Sequence, residues 1–109
     1  MSNVIVIATF QAKPGSESAV QEALQDVIAQ THAEEGCRTY ALHVSNADPA
    51  QMVIVERWDD QAALQAHFTQ PYIAALGEQA GALLAEPPTV AFCSALPAGD
   101  PAKGTLAGA

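Results

Sequence analysis

Positive charge is scarce in this chain. Its 109 residues include four Lys and Arg against twelve Asp and Glu, which gives a formal net charge of −8. The phosphates of nucleic acids and anionic lipids are bound by clustered Lys and Arg side chains, and the sequence has no such cluster. We therefore expect neither a nucleic-acid partner nor a membrane partner, although a local Arg could still bind a small anion.

Long hydrophobic runs are missing and cysteines are few. No apolar run approaches the roughly 20 residues needed to cross a bilayer, and the early stretch VIVIATF lacks the basic flank and cleavage site of a signal peptide. We therefore expect a cytoplasmic protein. The two cysteines, Cys37 and Cys93, have neither metal-site spacing nor the number of a secreted disulfide framework. They are expected to be reduced, packed thiols.

Apolar residues, in contrast, are plentiful. They make up 50% of the chain, which is enough to bury the core of one domain of this length. After residue 96 the composition changes, because PAGDPAKGTLAGA is mainly Pro, Gly and Ala and cannot pack a core. We assign residues 1–96 to one domain and residues 97–109 to a tail, either flexible or lying on a partner subunit.

The hydrophobic pattern predicts the order β-α-β-β-α-β. Strands are expected in the stretches NVIVIATFQA, CRTYALHV, QMVIVERW and TVAFCSAL. This order is typical of the ferredoxin-like split βαβ fold, an α+β arrangement in which an antiparallel sheet carries both helices on one face. The strands are apolar on both alternating sides, whereas a solvent-exposed face of the sheet should carry polar residues. A second copy is therefore expected to cover the bare face in a twofold homodimer.

Two helical regions connect these strands. The first is expected from Glu17 to Glu35, with Gly36 as its stop. Glu34 and Glu35 then lie at the negative end of the helix dipole, where solvated surface is the expected environment. The second region begins after a cap at Asp59 or Asp60 and runs through QAALQAHF; a further segment starts at Pro71 and reaches about Leu84.

Strand parity selects the candidate site residues. Glu56 and Trp58 share one face of the third strand, whereas Arg57 points to the other. A buried Glu56 would need a hydrogen-bond partner or a raised pKa. Tyr40 could face this pair from the neighbouring strand, and His67 could reach it from the following helix. Purely structural roles, as a packing anchor, a boundary residue or a salt bridge, remain open for all of them.

The stretch EEGCRTYALHVSNADPAQMVIVERWDDQAALQAHFTQPYI resembles the antibiotic biosynthesis monooxygenase superfamily, and within it the quinol monooxygenase-like proteins. The resemblance covers nearly all of residues 3 to 96. It implies a dimeric ferredoxin-like α+β barrel whose pocket, between sheet and helices, binds a small aromatic substrate. It further implies oxidation of a quinol or phenol by O2 without a cofactor. The shared pattern consists of Glu34, Gly36, Cys37, Tyr40, Pro49, Glu56, Trp58, Ala63, His67, Pro71 and Tyr72.

The resemblance also implies roles for individual residues. A hydroquinone is a poor electron donor to O2 until it is deprotonated, so the site needs a base and groups that stabilise the anion. His67 is the predicted base, because imidazole titrates near neutral pH; Trp58 would supply an apolar wall and Glu56 would orient or share the proton. Substrate binding is predicted for Tyr40, Phe68 and Tyr72. No residue is predicted to bind a metal or a cofactor.

Other branches of the superfamily give alternatives. Haem-degrading members have an Asn on the first strand where this sequence offers Ala8 or Thr9, which argues against haem degradation. Isomerases and degrading enzymes for small oxygenated metabolites share the His-x-x-x-Pro-aromatic pattern but usually lack the Trp, so Trp58 favours a flat aromatic ligand. A non-catalytic ligand-binding barrel is the remaining alternative, although such members generally lack the Glu-x-Trp and His combination.

Overall fold

The computed structural model describes residues 3–106, and within them four strands form one antiparallel sheet. The strands are β1 (Val4–Gln11), β2 (Cys37–Val44), β3 (Gln51–Trp58) and β4 (Thr89–Ser94), and their order across the sheet is β2-β3-β1-β4. The helices are α1 (Glu17–Thr31), α2 (Gln61–Phe68) and α3 (Pro71–Leu83). The predicted ferredoxin-like α+β fold is confirmed, with its second helical region divided in two.

The buried face of the sheet follows the predicted parity. Along β3, Glu56 and Trp58 are buried together, whereas Arg57 lies on the opposite, half-buried face. The helices cover the face that contains Glu56. The most deeply buried core side chains there are Trp58, Leu24, Ile54, Leu64 and Val6. Strand alternation therefore places a carboxyl group inside an apolar core, where it must find a partner.

The first helix is shorter than the sequence suggests. It ends at Thr31, so the expectation that it continues to Glu35 is wrong. Tight turns follow at once, because the backbone N–H of Glu34 donates to the carbonyl of Thr31 at 2.9 Å. Gly36 does not adopt the left-handed conformation that ends many helices. Its role is steric instead, since a Cβ at this position would lie 2.3 Å from the Cβ of Ala63 on α2.

The ends of α2 and α3 agree with the expected signals. The Asp60 carboxylate accepts the backbone N–H of Ala63 at 2.9 Å, which confirms it as the N-cap of α2. Pro71 occupies the first turn of α3. Because proline has no backbone N–H and restricts the residue before it, α2 cannot continue through this point. The break turns α3 back over the sheet, where it packs against α1.

The opposite face of the sheet has no helix of residues 3–106 packed on it. Its apolar side chains, among them Ile5, Ile7 and Val55, are only half-buried. On this face the Arg57 guanidinium donates a hydrogen bond to the backbone carbonyl of Leu106 in the tail. Residues 107–109, the end of the predicted tail, lie outside the described residues, as do residues 1 and 2. The division at residue 96 stays a prediction.

No helix within residues 3–106 is long and apolar enough to cross a membrane. The cytoplasmic location stays a prediction from the sequence.

Candidate active site

A cavity of about 200 Å³ lies between the helix-covered face of the sheet and helices α1 and α3. Its walls are mainly apolar, and the side chains include Ala8 and Phe10 of β1, Leu24 of α1 and Leu76 and Ala80 of α3. The exposed edge strand β4 contributes Val90 beside the cavity. An apolar cavity of this kind favours ligands with a hydrophobic body.

The titratable groups of the cavity are Tyr40, Glu56 and His67. Strand pairing places Glu56 directly between Val6 on β1 and Tyr40 on β2. His67 of α2 is 2% exposed and lines the cavity with Tyr40 and Glu56. Phe10 lies four residues along β1 from Val6, which corresponds to about 13 Å at the usual rise of a strand. Glu56 is therefore well separated from Phe10 along the sheet.

His67 is held by a carboxylate that sequence reasoning assigned to the surface. The Glu34 Oε2 atom lies 2.8 Å from His67 Nδ1, and the Glu34 side chain is only 12% exposed. The expectation of a solvated Glu34 is therefore wrong. Because α1 ends at Thr31, Glu34 lies on the turn that leads back to β2 and its side chain is directed towards α2. The Glu-x-Gly-Cys element of the family pattern was the available signal.

Tyr40 contacts the other nitrogen of the imidazole. Its hydroxyl oxygen is 3.5 Å from His67 Nε2, and the two rings meet edge to face with centroids 5.3 Å apart. Burial, with a further contribution from the charge of Glu56, raises the pKa of the Tyr40 hydroxyl well above its usual value of 10.0. Tyr40 therefore keeps its proton at neutral pH and can donate a hydrogen bond.

Trp58 stands behind the cavity. Its indole is completely buried, with the ring centroid 4.6 Å from that of His67, and it is not among the side chains that line the cavity. Its Nε1–H donates to Glu56 Oε1 at 2.9 Å. The structure brings Trp58, Glu56 and His67 together, but it does not place Trp58 where it could form the wall against a substrate. Trp58 instead fixes the orientation of Glu56 and supports the imidazole ring.

The environment of Glu56 shifts its proton affinity. Burial raises the pKa of this carboxyl from 4.5 to about 7, and the charge of Glu34 adds to the effect, whereas the hydrogen bond from Trp58 opposes it. Both protonation states of Glu56 are therefore populated near neutral pH. A group with this property next to a cavity can accept or release a proton during a reaction.

Phe68 and Tyr72 occupy different positions around the site. Phe68 lines the cavity, is 48% exposed and touches Phe92 of β4 edge to face, with ring centroids 6.3 Å apart. Tyr72 does not line the cavity. Its hydroxyl donates to Glu34 Oε2, the same oxygen that contacts His67. Burial and the neighbouring Glu34 raise the pKa of Tyr72 to about 12, so this hydroxyl stays a donor.

Neither cysteine lines the cavity. Cys37 is half-buried, and burial together with the charges of Glu34 and Glu56 raises its pKa to about 11. Cys93 on β4 is exposed, so the expectation of a packed thiol is wrong for it. Within residues 3–106 no three His, Cys, Asp or Glu side chains are grouped as a metal site would require.

Comparison with known proteins identifies the family. The model of the antibiotic biosynthesis monooxygenase family matches residues 3–79, and the chain belongs to this family. Rv0793 of Mycobacterium tuberculosis, named provisionally as a monooxygenase, is 38% identical over 95 residues, which are 87% of this chain and 93% of that protein. The superposition on the solved structure of Rv0793 covers 91% of this chain and 100% of that one, with a TM-score of 0.84 and 34% identity.

Two further relatives agree with this assignment. YgiN of Escherichia coli, named as a probable quinol monooxygenase, is 31% identical over 83 residues, which are 67% of this chain and 80% of that protein. The crystal structure of PA3566 from Pseudomonas aeruginosa has a TM-score of 0.83 at 29% identity and covers 88% of this chain and 96% of that one. Family membership and these names support a monooxygenase-like, oxidoreductase function.

Proposed function

We propose that the protein is a cofactor-independent monooxygenase that oxidises a quinol or phenolic compound with O2. The observation that carries this proposal is the convergence of His67, Tyr40 and Glu56 in a mainly apolar cavity. A hydroxylated aromatic ring has the matching chemistry, with an acidic hydroxyl at one end and a flat apolar body. The name of YgiN, a probable quinol monooxygenase, supports the same substrate class.

The reaction balances without an external reductant. A quinol and O2 give a hydroxylated quinone and water, so one oxygen atom enters the ring and the other is reduced to water by the two electrons of the quinol. Electron transfer to O2 requires the quinol anion, and the base that forms it is the catalytic group we assign to His67. Tyr40, which keeps its proton, can donate a hydrogen bond to the resulting oxyanion.

Glu56 has a separate part in this scheme. It is buried beside the cavity, and its raised pKa of about 7 lets it accept or supply a proton near neutral pH. The loss of water from the oxygenated ring needs a proton donor, and protonated Glu56 can serve as one. Trp58 keeps this carboxyl in place through its hydrogen bond to Oε1. Trp58 is therefore a positioning residue in this proposal.

Filling the apolar part of the cavity should weaken binding of the substrate. Ala80 of α3 lines the cavity, so the Ala80→Phe side chain would occupy the space of the ligand body. We expect affinity for a hydroquinone to fall at least about 10-fold, which corresponds to about 1.4 kcal/mol. Binding can be followed without oxygen through the fluorescence of Trp58, the chain's one tryptophan, whose ring lies 4.6 Å from that of His67.

Ala75→Phe is the matched control for this experiment. Ala75 lies on the same helix but is exposed and does not line the cavity. The Ala75→Phe variant should bind hydroquinone with the affinity of the parent protein. Equal affinity of the Ala80→Phe variant and the parent would show that the aromatic body does not bind in this cavity.

We also propose that the working unit is a homodimer. The proposal rests on the apolar, half-buried face of the sheet opposite the helices, which contains Ile5, Ile7 and Val55. Sedimentation should give the mass of two chains at micromolar concentration, and Val55→Glu should shift the protein towards the monomer. Val44→Glu, at a 56% exposed position on the helix-covered side of β2, should leave the dimer intact. A parent protein that sediments as a monomer would contradict the proposal.

A further inference from the structure

We propose that Glu34 is a positioning residue that holds the His67 imidazole in one tautomer, with its proton on Nδ1 and the Nε2 lone pair directed towards Tyr40 and the cavity. This inference deepens the proposed function, because it rests on His67 as the base. Neither the family pattern nor strand parity assigns such a role to Glu34.

The geometry at Nδ1 favours this tautomer. Glu34 Oε2 lies 2.8 Å from this nitrogen, which is the distance of a good hydrogen bond. An ionised carboxylate can only accept hydrogen bonds, so Nδ1 must supply the proton. In the alternative tautomer the lone pair of Nδ1 would face a carboxylate lone pair at the same distance, a repulsive contact inside a nearly buried pair.

Two hydrogen bonds, which together we call the clamp, hold the Glu34 carboxylate in place. The Tyr72 hydroxyl donates to the same Oε2 atom, so one carboxylate oxygen accepts from both Tyr72 and His67. These partners come from α3 and α2, while Glu34 lies on the turn after α1. With two donors from two helices, the oxygen cannot rotate away from Nδ1 without losing a second hydrogen bond. The clamp therefore defines the orientation of the imidazole as well as its tautomer.

The other ring nitrogen, Nε2, contacts Tyr40. This nitrogen lies 3.5 Å from the hydroxyl of Tyr40, which lines the cavity together with His67, and this distance is longer than a good hydrogen bond. The Nε2 lone pair is therefore only weakly engaged and is available to a substrate hydroxyl. When Nε2 takes the proton of that hydroxyl, the imidazolium that forms is paired with the Glu34 carboxylate, which stabilises it.

The inference is tested with the Glu34→Gln variant. A glutamine amide can donate to Nδ1, which allows the proton to move to Nε2 and removes the free lone pair from the cavity. Nitrogen NMR of protein with labelled histidine reports which ring nitrogen carries the proton, and the His67→Gln spectrum identifies the His67 signals. We expect the proton on Nδ1 in the parent and a large population with the proton on Nε2 in Glu34→Gln.

Kinetics provide the second measurement. Glu34→Gln should lower kcat for a hydroquinone by about 100-fold and leave KM nearly unchanged, because the ligand body still binds in the apolar cavity. Glu35→Gln is the matched control, since the neighbouring Glu35 is exposed and makes no contact with His67. The Glu35→Gln variant should keep both the parent tautomer and the parent kcat. Tyr72→Phe keeps the carboxylate and should keep the proton on Nδ1, whereas Glu34→Ala, which removes the acceptor, should give a mixture of the two tautomers even if Glu34→Gln folds poorly.

The outcomes separate this inference from the proposed function. A parent spectrum with the proton on Nε2, or a Glu34→Gln variant with the parent tautomer and parent kcat, would overturn the role of Glu34. If the parent protein oxidises no hydroquinone but the tautomer changes as expected in the variants, the positioning role stands and the proposed reaction fails. The NMR measurement needs no substrate, so it decides the role of Glu34 in either case.

Discussion

Replacement of His67 by Ala is expected to lower kcat/KM for a hydroquinone by about 1,000-fold, within the range found when a general base is removed. The imidazole lines the cavity beside Tyr40, whose hydroxyl is 3.5 Å from Nε2, and its other nitrogen, Nδ1, is paired with Glu34. Without it, the substrate hydroxyl must lose its proton to water. The fall in kcat/KM is measured as oxygen uptake, corrected for autoxidation.

Two further variants make the result interpretable. His67 is buried, so His67→Ala leaves a void and deprives Glu34 of a partner, which could reduce stability. His67→Gln keeps most of the volume and a donor for Glu34 but cannot act as a base, and it should lose activity to a similar extent while unfolding near the parent temperature. His43→Ala, at an exposed position on β2, should keep parent activity. Parent rates in both His67 variants would show that His67 is not the base.

Replacement of Glu56 by Gln is expected to make the protein more stable at alkaline pH. It should also remove the fall in the free energy of unfolding that Glu56 causes as pH rises. The pKa of Glu56 is raised by burial from 4.5 to about 7 in the folded chain. Between these two pH values the native protein therefore binds more protons than the unfolded chain, and the free energy of unfolding must fall as pH rises. The full effect of this pKa difference is about 3 kcal/mol, present below pH 4.5 and lost as pH rises through about 7.

Urea unfolding at a series of pH values from about 4 to about 8 measures this effect. A glutamine at position 56 still offers an oxygen to the Trp58 indole and carries no charge, so the variant should gain up to about 3 kcal/mol over the parent above pH 7. Glu35→Gln, at an exposed carboxyl, reports the contribution of surface charge. If the free energy of unfolding depended on pH in the same way in the parent and in Glu56→Gln, this would contradict a buried carboxyl with a raised pKa at position 56.

Much of the fold was predictable because local chemistry and periodicity agree. The alternation along QMVIVERW placed Glu56 and Trp58 on one face and Arg57 on the other, and the structure has the same parity. Asp60 caps α2 as its position before an apolar helix suggested. Pro71 marks the break between α2 and α3 for a covalent reason, the missing backbone N–H. Such signals act over a few residues and need no tertiary information.

The position of Glu34 could not be predicted in the same way. Gly36 is the first helix-stopping residue after Glu17, so the sequence predicts an end of α1 that is four residues too late and a solvated Glu34. Its true environment depends on the turn into β2 and on contacts with His67 and Tyr72, which are 33 and 38 residues away in the chain. Likewise, parity placed Trp58 on the correct face, but only packing determines that it lies behind His67 and not along the cavity.

Oxidation of a hydroquinone by purified, metal-free protein under isotopically labelled O2 tests the proposed activity most directly. We predict O2 uptake above the rate of autoxidation, with one labelled oxygen atom in the hydroxylated quinone and the other in water. His67→Ala should lower this uptake by about 1,000-fold. A rate that never exceeds autoxidation, or label that is recovered in hydrogen peroxide and not in the ring, would contradict a monooxygenase built on His67, Tyr40 and Glu56.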